Sequence, residues 1–342
     1  MKFVEVSPGV AQVRSGPLPE LREGEGRVRV LACGLCGTDV HLFKGMQLPP
    51  NATYPVRPGH EVAGILIEAR GTTSIELGSL VVLHIFEVCQ ECDACLSSNE
   101  QRCESQRILG IHAPGGMADS VTWPLSRMVA VGDIDPLSAA LLPDAAATAH
   151  HALRLADPGD GPLCVIGAGG VGSNVLRLST ILYPEAVLVA IVRRPESALA
   201  LENLAKTVIG LEGSAKQVKK VVGECAAVVD FSGSALAAAE GVRMLKRGGR
   251  LILGSVSEEP LDIRMPVVGV VSRELDIMGC YGSTMKDLRT VCSLAESGSF
   301  DVGSSVSSVI DLASVPNVLR AHAEGSAAGG RAVIVPDQVS SV

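Results

Sequence analysis

Six of the ten cysteines in this 342-residue sequence fall into two tight groups. Cys89, Cys92, Cys95 and Cys103 lie within fifteen residues. Four thiolates at such spacing suit a tetrahedral zinc ion. The stretch 87–105 is polar and irregular, so a structural metal would supply its order. An iron–sulfur cluster is the competing reading, because C-x2-C-x2-C also opens ferredoxin-type sites. The missing C-P after a short gap argues against it. The second group is looser: Cys33 and Cys36 stand close together, Cys36-Gly37-Thr38-Asp39-Val40-His41 runs on, and Gly59-His60-Glu61 follows downstream. Thiolate and imidazole are ordinary zinc ligands, and a catalytic site needs three protein ligands with a fourth position open. Thr38 and His41, close behind Cys36, are placed to relay a proton from a bound alcohol to solvent. Cys164, Cys225, Cys280 and Cys292 sit in apolar surroundings and read as small core residues.

A third element is Gly167-Ala168-Gly169-Gly170-Val171-Gly172, which matches G-x-G-x-x-G. It follows an apolar strand, PLCVI, and opens a helical run, SNVLRLSTIL (173–182), the context a dinucleotide site requires. Gly167 permits the tight turn, Gly169 admits a pyrophosphate to the backbone, and Gly172 lets helix and strand pack closely. A ribose-binding acid is expected about 20 residues on, at the end of the second strand. Near Val192 there is none; Arg193 and Arg194 follow instead. Without a carboxylate to repel a 2′-phosphate, and with two guanidiniums to bind it, the sequence leans to NADP over NAD.

The elements that must hold these residues divide the chain in two. The first half reads as short strands, RVRVLACG (27–34) and EVAGILIEAR (61–70), with a proline-rich loop over 49–58. A helix is expected over 138–156. From 162 onward the pattern alternates: strand 187–193, helix 196–206, strand 226–233, helix 235–246, strands 250–256 and 275–282. That alternation indicates a parallel sheet covered by helices. Residues 283–342 read as helix, strand, helix, strand. Composition allows this: 47% of residues are hydrophobic and 19% charged, and mean hydropathy is +0.33. The net charge of −8 disfavours a nucleic-acid surface. No apolar run is long enough for a membrane span, and the start lacks a secretory signal, so a cytoplasmic protein is expected.

At this point the sequence resembles the zinc-containing medium-chain dehydrogenase/reductase family. The matching pieces are CGLCGTDVH, PGHEVAG, CQECDACLSSNEQRC, VIGAGGVG, VVDFSG and GGRLILG, in the family's order. The resemblance implies an α/β fold: a Rossmann doubly wound parallel sheet (151–282) plus a GroES-like, mainly-β catalytic domain (1–150 and 283–342). It implies a structural zinc in the loop 87–105 and a catalytic zinc. Cys36 and His60 match the first two catalytic ligands. Glu61 matches a neighbouring glutamate that exchanges onto the metal. Thr38 and His41 match the proton relay, and Asp39 the carboxylate that orients the zinc-bound histidine. Asp144, in LLPDAAATAHHAL (141–153), stands where many members have cysteine, which resembles the polyol, sugar and threonine dehydrogenase branches. Ser232 of VVDFSG, with Gly167, Gly169, Gly170, Val171 and Gly172, falls on the cofactor side. Arg331 of GGRAVIVP matches an arginine at the cofactor pyrophosphate. A homodimer or homotetramer is expected.

The implied reaction is reversible oxidation of a small alcohol, polyol or sugar. Zinc acts as a Lewis acid on the substrate oxygen, Thr38 passes the proton on, and nicotinamide takes the hydride. Phe43, Met46, Leu48, Tyr54, Ile85 and Phe86 are expected to wall the pocket. Three other readings compete. A zinc-free quinone or enoyl reductase would lack these ligands. A zinc-module nucleic-acid binder fits neither the charge nor the glycine loop. A non-catalytic protein on this scaffold would have lost Cys36, His60 or Thr38.

Overall fold

The structure, a computed structural model, describes residues 1–257, 260–326 and 331–336. Gly329 and Gly330 of GGRAVIVP and the end from 337 therefore lie outside the described residues. The chain divides into two compact units, Met1–Ala147 with Ser283–Val342, and Thr148–Gly282.

The second unit is the alternating one. Among the described residues its six strands run in the order Lys206–Ile209, Leu188–Val192, Leu163–Ile166, Cys225–Asp230, Leu245–Leu253 and Asp276–Gly279. All neighbours are parallel. Strands covered on both faces need near-continuous apolar runs, and Leu188–Val192 and Cys225–Asp230 are buried throughout. The first strand in sequence, Leu163–Ile166, sits mid-sheet with strands added outward on both sides. That leaves a crevice at its carboxyl end.

Two expected helices change here. The run expected as helix 196–206 is helical only over Pro195–Leu199. Lys206 instead opens the edge strand Lys206–Ile209, drawn out by pairing with Leu188–Val192. Pairing overrides local helix propensity at that point. The run 138–156 divides into Pro136–Ala140, a π-turn Leu142–Ala146, and Ala147–Ala156. Pro143 has no N–H to extend the first helix, and Ala146 N–H reaches back five residues to Leu141 O at 3.0 Å.

The first unit carries the mainly-β fold. Its main sheet runs Val306–Ile310, Arg331–Ile334, Glu25–Gly34, Glu61–Arg70, Leu80–Leu83, Met128–Ala130, with Ser120–Pro124 also on Glu25–Gly34. Val28, Leu66, Val81, Leu83 and Trp123 form its core. The register matters more than the outline. Gly34 pairs with Glu61 in antiparallel register, and Cys33 with Ile334. Leu35 N–H then donates to Ala332 O at 2.9 Å. Three strand ends therefore meet at one place, and they deliver Cys36, His60 and Arg331 to it.

Off this sheet hangs a small lobe whose buried core is Ile85, Phe86, Val88, Cys103 and Ile108. It is tied back through two buried residues, Glu100 and His84. Glu100 Oε1 accepts from Met285 N at 2.8 Å and lies 3.5 Å from Arg127. His84 is fully buried; its Nδ1 accepts from Phe86 N at 3.2 Å, so Nε2–H donates to Ser283 O at 3.1 Å.

Burial, with Arg127 nearby, lowers the His84 pKa to about 4. The unfolded chain thus binds a proton on this residue near pH 6.5 while the folded one refuses it until about 4. Its contribution is intact above 6.5 and is lost as pH falls through that window, by about 3 kcal/mol at most. Denaturant titrations at pH 7 and pH 4.5 should show this loss, and His84→Gln should flatten it.

Candidate metal and dinucleotide sites

Cys36 precedes the helix Gly37–Lys44, and the third residue of that helix, Asp39, turns back on it. Its fully buried carboxylate accepts from Cys36 N at 2.9 Å and from Gly59 N at 3.3 Å. Its Oδ1 also lies 3.8 Å from His60 Nδ1, which leaves Nε2 to face the site. Gly59 has φ +99°, and a Cβ there would press on Met117 N and Cys33 Sγ. Only glycine brings the chain round to present His60 at this angle.

Asp144 Oδ2 closes the set, 3.4 Å from Cys36 Sγ and 3.7 Å from His60 Nε2. Ligands about 2.0–2.3 Å from a tetrahedral zinc are themselves separated by about 3.4–3.6 Å. The two separations from Asp144, 3.4 and 3.7 Å, are close to that. The π-turn supplies the angle that aims Asp144 inward, a use such turns often have at functional sites. Glu61 joins them, all four ligand atoms falling within 4.8 Å of one another.

The charge balance also suits a cation. Burial raises the Glu61 carboxyl to about 8; Arg331 opposes the rise and Asp144 adds to it. Burial alone would keep His60 neutral, but hydrogen bonds to Asp144 and Cys36, with the Asp39 charge, hold its pKa well above the ordinary value. Both Glu61 oxygens are sealed from solvent without a hydrogen bond among the described residues. Its Oε1 does lie 2.8 Å from Arg331, as an ion pair. A site this rich in buried acceptors, with one imidazole and one guanidinium, is short of positive charge.

Arg331 packs beneath Glu61. It is 5% exposed, and its guanidinium faces Glu61 and donates to Leu35 O at 3.3 Å. The register of Arg331–Ile334 against the end of Glu25–Gly34 imposes this. Thr38 Oγ1 lies 3.9 Å from Cys36 Sγ. His41 is one helical turn further, exposed, with no described contact to Thr38. Ile85 and Phe86, expected as pocket wall, are buried in the lobe core, because the strand leading to Cys89 needs an apolar floor. Phe43 likewise belongs to the main core, with Met46, Leu48 and Tyr54 packed against it. Tyr54 donates to Leu42 O and Met46 O, bracing that loop.

In the lobe, Cys89 Sγ lies 3.5 Å from Cys103 Sγ and 3.9 Å from Cys95 Sγ, and Cys92 lies 3.6 Å from Cys95. Tetrahedral zinc with Zn–S near 2.3 Å requires sulfur separations of about 3.8 Å. The cysteines fit a four-thiolate zinc closely. Backbone N–H groups of Glu91 and Cys92 lower the Cys89 thiol to about 6, while burial raises Cys95 to about 12.

The glycine loop closes on itself in the second unit. A Cβ on Gly167 would come 2.8 Å from Ser232 N, whereas one on Gly169 meets nothing within 4 Å. Gly172 packs on Gly167 O and Val165. The open side at Gly169 is where phosphates can reach the backbone at the start of the helix Gly172–Leu182. Gly170 and Val171 complete the turn, Gly170 O accepting from buried Asn174. Arg193 and Arg194 are exposed just past Leu188–Val192, Arg194 heading the helix Pro195–Leu199. Ser232 is exposed beside Gly167. Sequence reasoning gave no role to Asp230, although it lies within VVDFSG at the buried end of its strand, and it missed the Glu61–Arg331 pair, whose members are distant in sequence.

The alcohol dehydrogenase GroES-like domain family matches residues 22–133. Alcohol dehydrogenase of Geobacillus stearothermophilus is 30% identical over 294 residues, spanning 84% of this chain and 85% of that protein. The chain belongs to the zinc-type medium-chain dehydrogenase/reductase family. L-galactonate-5-dehydrogenase of Escherichia coli K12 is 27% identical over 290 residues, 83% of each chain. A crystal structure with bound NADP, described as a zinc-binding dehydrogenase of Sinorhizobium meliloti 1021, has a TM-score of 0.88 at 25% identity over 98% of this chain and 99% of that one. The family's fold, GroES-like domain plus Rossmann sheet, is the one found here, and the protein is an oxidoreductase of the alcohol dehydrogenase type. No helix among the described residues is long and apolar enough to cross a membrane.

Two variants separate the clusters. Asp144→Ala should halve metal content and cut turnover by more than about a hundredfold, since even outer contacts to such metals are worth up to that much. Cys95→Ser should lose the other metal and lower the unfolding temperature, because five buried side chains cannot order the lobe alone. Elemental analysis and calorimetry read both. Full metal content in Asp144→Ala would remove it from the ligand set.

Proposed function

We propose that the protein is a zinc-dependent, NADP-preferring dehydrogenase of small secondary alcohols, polyols or sugars. The convergence of Cys36, His60 and Asp144 from three separate segments carries this reading. On it, Cys36, His60 and Asp144 hold a catalytic zinc and Cys89, Cys92, Cys95 and Cys103 a structural one. When bound, zinc supplies Lewis-acid polarisation of the substrate oxygen, and the dinucleotide exchanges the hydride.

The chain's own residues do the rest. Asp39 fixes the His60 ring so that Nε2 remains the donor. Thr38, near Cys36 Sγ, accepts the substrate hydroxyl proton at Oγ1 and releases its own toward His41 or water. Arg331 restrains Glu61, the further carboxylate that lies within reach of the metal ligands. A carboxylate ligand in place of thiolate leaves zinc the stronger Lewis acid, and Asp144 at that position resembles the polyol, sugar and threonine dehydrogenase branches. We further assign a cytoplasmic location, a small-molecule partner rather than nucleic acid or membrane, and a homodimer or homotetramer.

Gly167, Gly169, Gly170, Val171, Gly172 and Ser232 would hold the dinucleotide, with Arg193 and Arg194 at the ribose. An Arg–phosphate contact is worth about 1.5–3 kcal/mol, roughly ten- to a hundredfold in affinity. Initial-rate kinetics on an alcohol, polyol and sugar panel should favour NADP by that factor. Arg193→Ala should raise the KM for NADP and leave that for NAD nearly unchanged. Equal kinetics with NAD in the unsubstituted protein would contradict the assignment.

A further inference from the structure

The second unit contains a buried acid that none of the roles above uses. Asp230 is the last residue of Cys225–Asp230 and the direct partner of Ile166, the residue before the glycine loop. It is 4% exposed. Its Oδ1 accepts from Ser232 N at 2.7 Å, and that same N–H abuts Gly167. The carboxylate thus sits at the floor of the crevice where the strand order reverses, held against the loop expected to carry the phosphates. No cationic side chain pairs with it among the described residues. Burial raises its pKa, while Ser232 opposes the rise.

In this strand order the two halves of a dinucleotide lie on either side of Leu163–Ile166. Arg193 and Arg194 occupy the ribose position on the Leu188–Val192 side. The side ending in Asp230 is therefore the nicotinamide side. Nicotinamide is the part of the cofactor whose charge changes: the ring is cationic when oxidised and neutral when reduced. A fixed, unpaired carboxylate tells those two states apart.

We propose that Asp230 selects the redox state of the bound cofactor, favouring the oxidised dinucleotide over the reduced one. The inference rests on the dinucleotide reading above. An interaction of about 1.4 kcal/mol between the carboxylate and the ring's charge, modest for opposite charges at an effective dielectric near 20, corresponds to about tenfold in affinity.

The test is equilibrium titration of the full-length protein with NADP+ and, separately, NADPH. The phosphates and adenosine contribute equally to both, so the ratio of the two dissociation constants isolates the ring. Asp230→Asn keeps the shape and the acceptor for Ser232 N–H and removes the charge. It should weaken NADP+ binding about tenfold relative to NADPH, with the unfolding temperature unchanged. Asp230→Glu, which keeps the charge, should hold the ratio near that of the unsubstituted protein. If the amide is not accommodated, Asp230→Ser carries the same expectation. An unchanged ratio in a folded neutral variant, or equal weakening of both forms, overturns the proposal and leaves Asp230 as a turn cap. Failure of the unsubstituted protein to bind either dinucleotide would overturn the dinucleotide reading itself, and this inference with it.

Discussion

The buried carboxylate of Asp39 is the constraint on which the metal site depends. Cys36 and His60 belong to different segments, and neither side chain can be aimed without fixing its backbone. Asp39 ties both, through Cys36 N and Gly59 N, and faces the His60 ring as well. Taking that charge out of water is unfavourable, and burial indeed raises its pKa. His60, two backbone N–H groups and Arg331 offset the penalty. One side chain thereby converts two loop residues into preorganised donors.

The remaining parts solve the same problem at longer range. The Gly34–Glu61 register sets the distance between the two strand ends. The Arg331–Ile334 strand extends the sheet and brings a guanidinium under Glu61. The π-turn spends a regular helical hydrogen bond to turn Asp144 inward. In the other unit, the glycine loop, Ser232 and Asp230 form one continuous backbone surface at the carboxyl end of Leu163–Ile166. Each unit thus concentrates its chemistry where strands end, because there alone the backbone is free to turn a side chain or an N–H toward a ligand.

Much of this was legible in the sequence, for physical reasons. Gly167, Gly169 and Gly172 answer to local backbone demands, so their spacing betrays them. The four cysteines of the lobe lie on one short loop and must meet. The apolar run over 61–70 reads as a strand and appears as one at those residues. What stayed hidden depends on partners distant in sequence. The helix expected over 196–206 yields to an edge strand whose partner is Leu188–Val192. Pro143 was visible, but not that the chain would widen into a π-turn instead of stopping. The sequence pointed to Arg331 but not to its pairing with Glu61, which strand pairing brings about. Ile85 and Phe86 looked like pocket wall because apolar residues ahead of a ligand loop serve a pocket or a core equally well.

The central claim is that two differently built zinc sites share one chain, one of sulfur alone and one of mixed donors. Anomalous diffraction at the zinc edge, on crystals of protein purified without added metal, tests it most directly. The account predicts two peaks. One lies about 2.3 Å from the sulfurs of Cys89, Cys92, Cys95 and Cys103, and the other about 2.0–2.3 Å from Cys36 Sγ, His60 Nε2 and an Asp144 oxygen. A single peak in the four-cysteine lobe, with none between Cys36, His60 and Asp144 in zinc-replete protein, would contradict it.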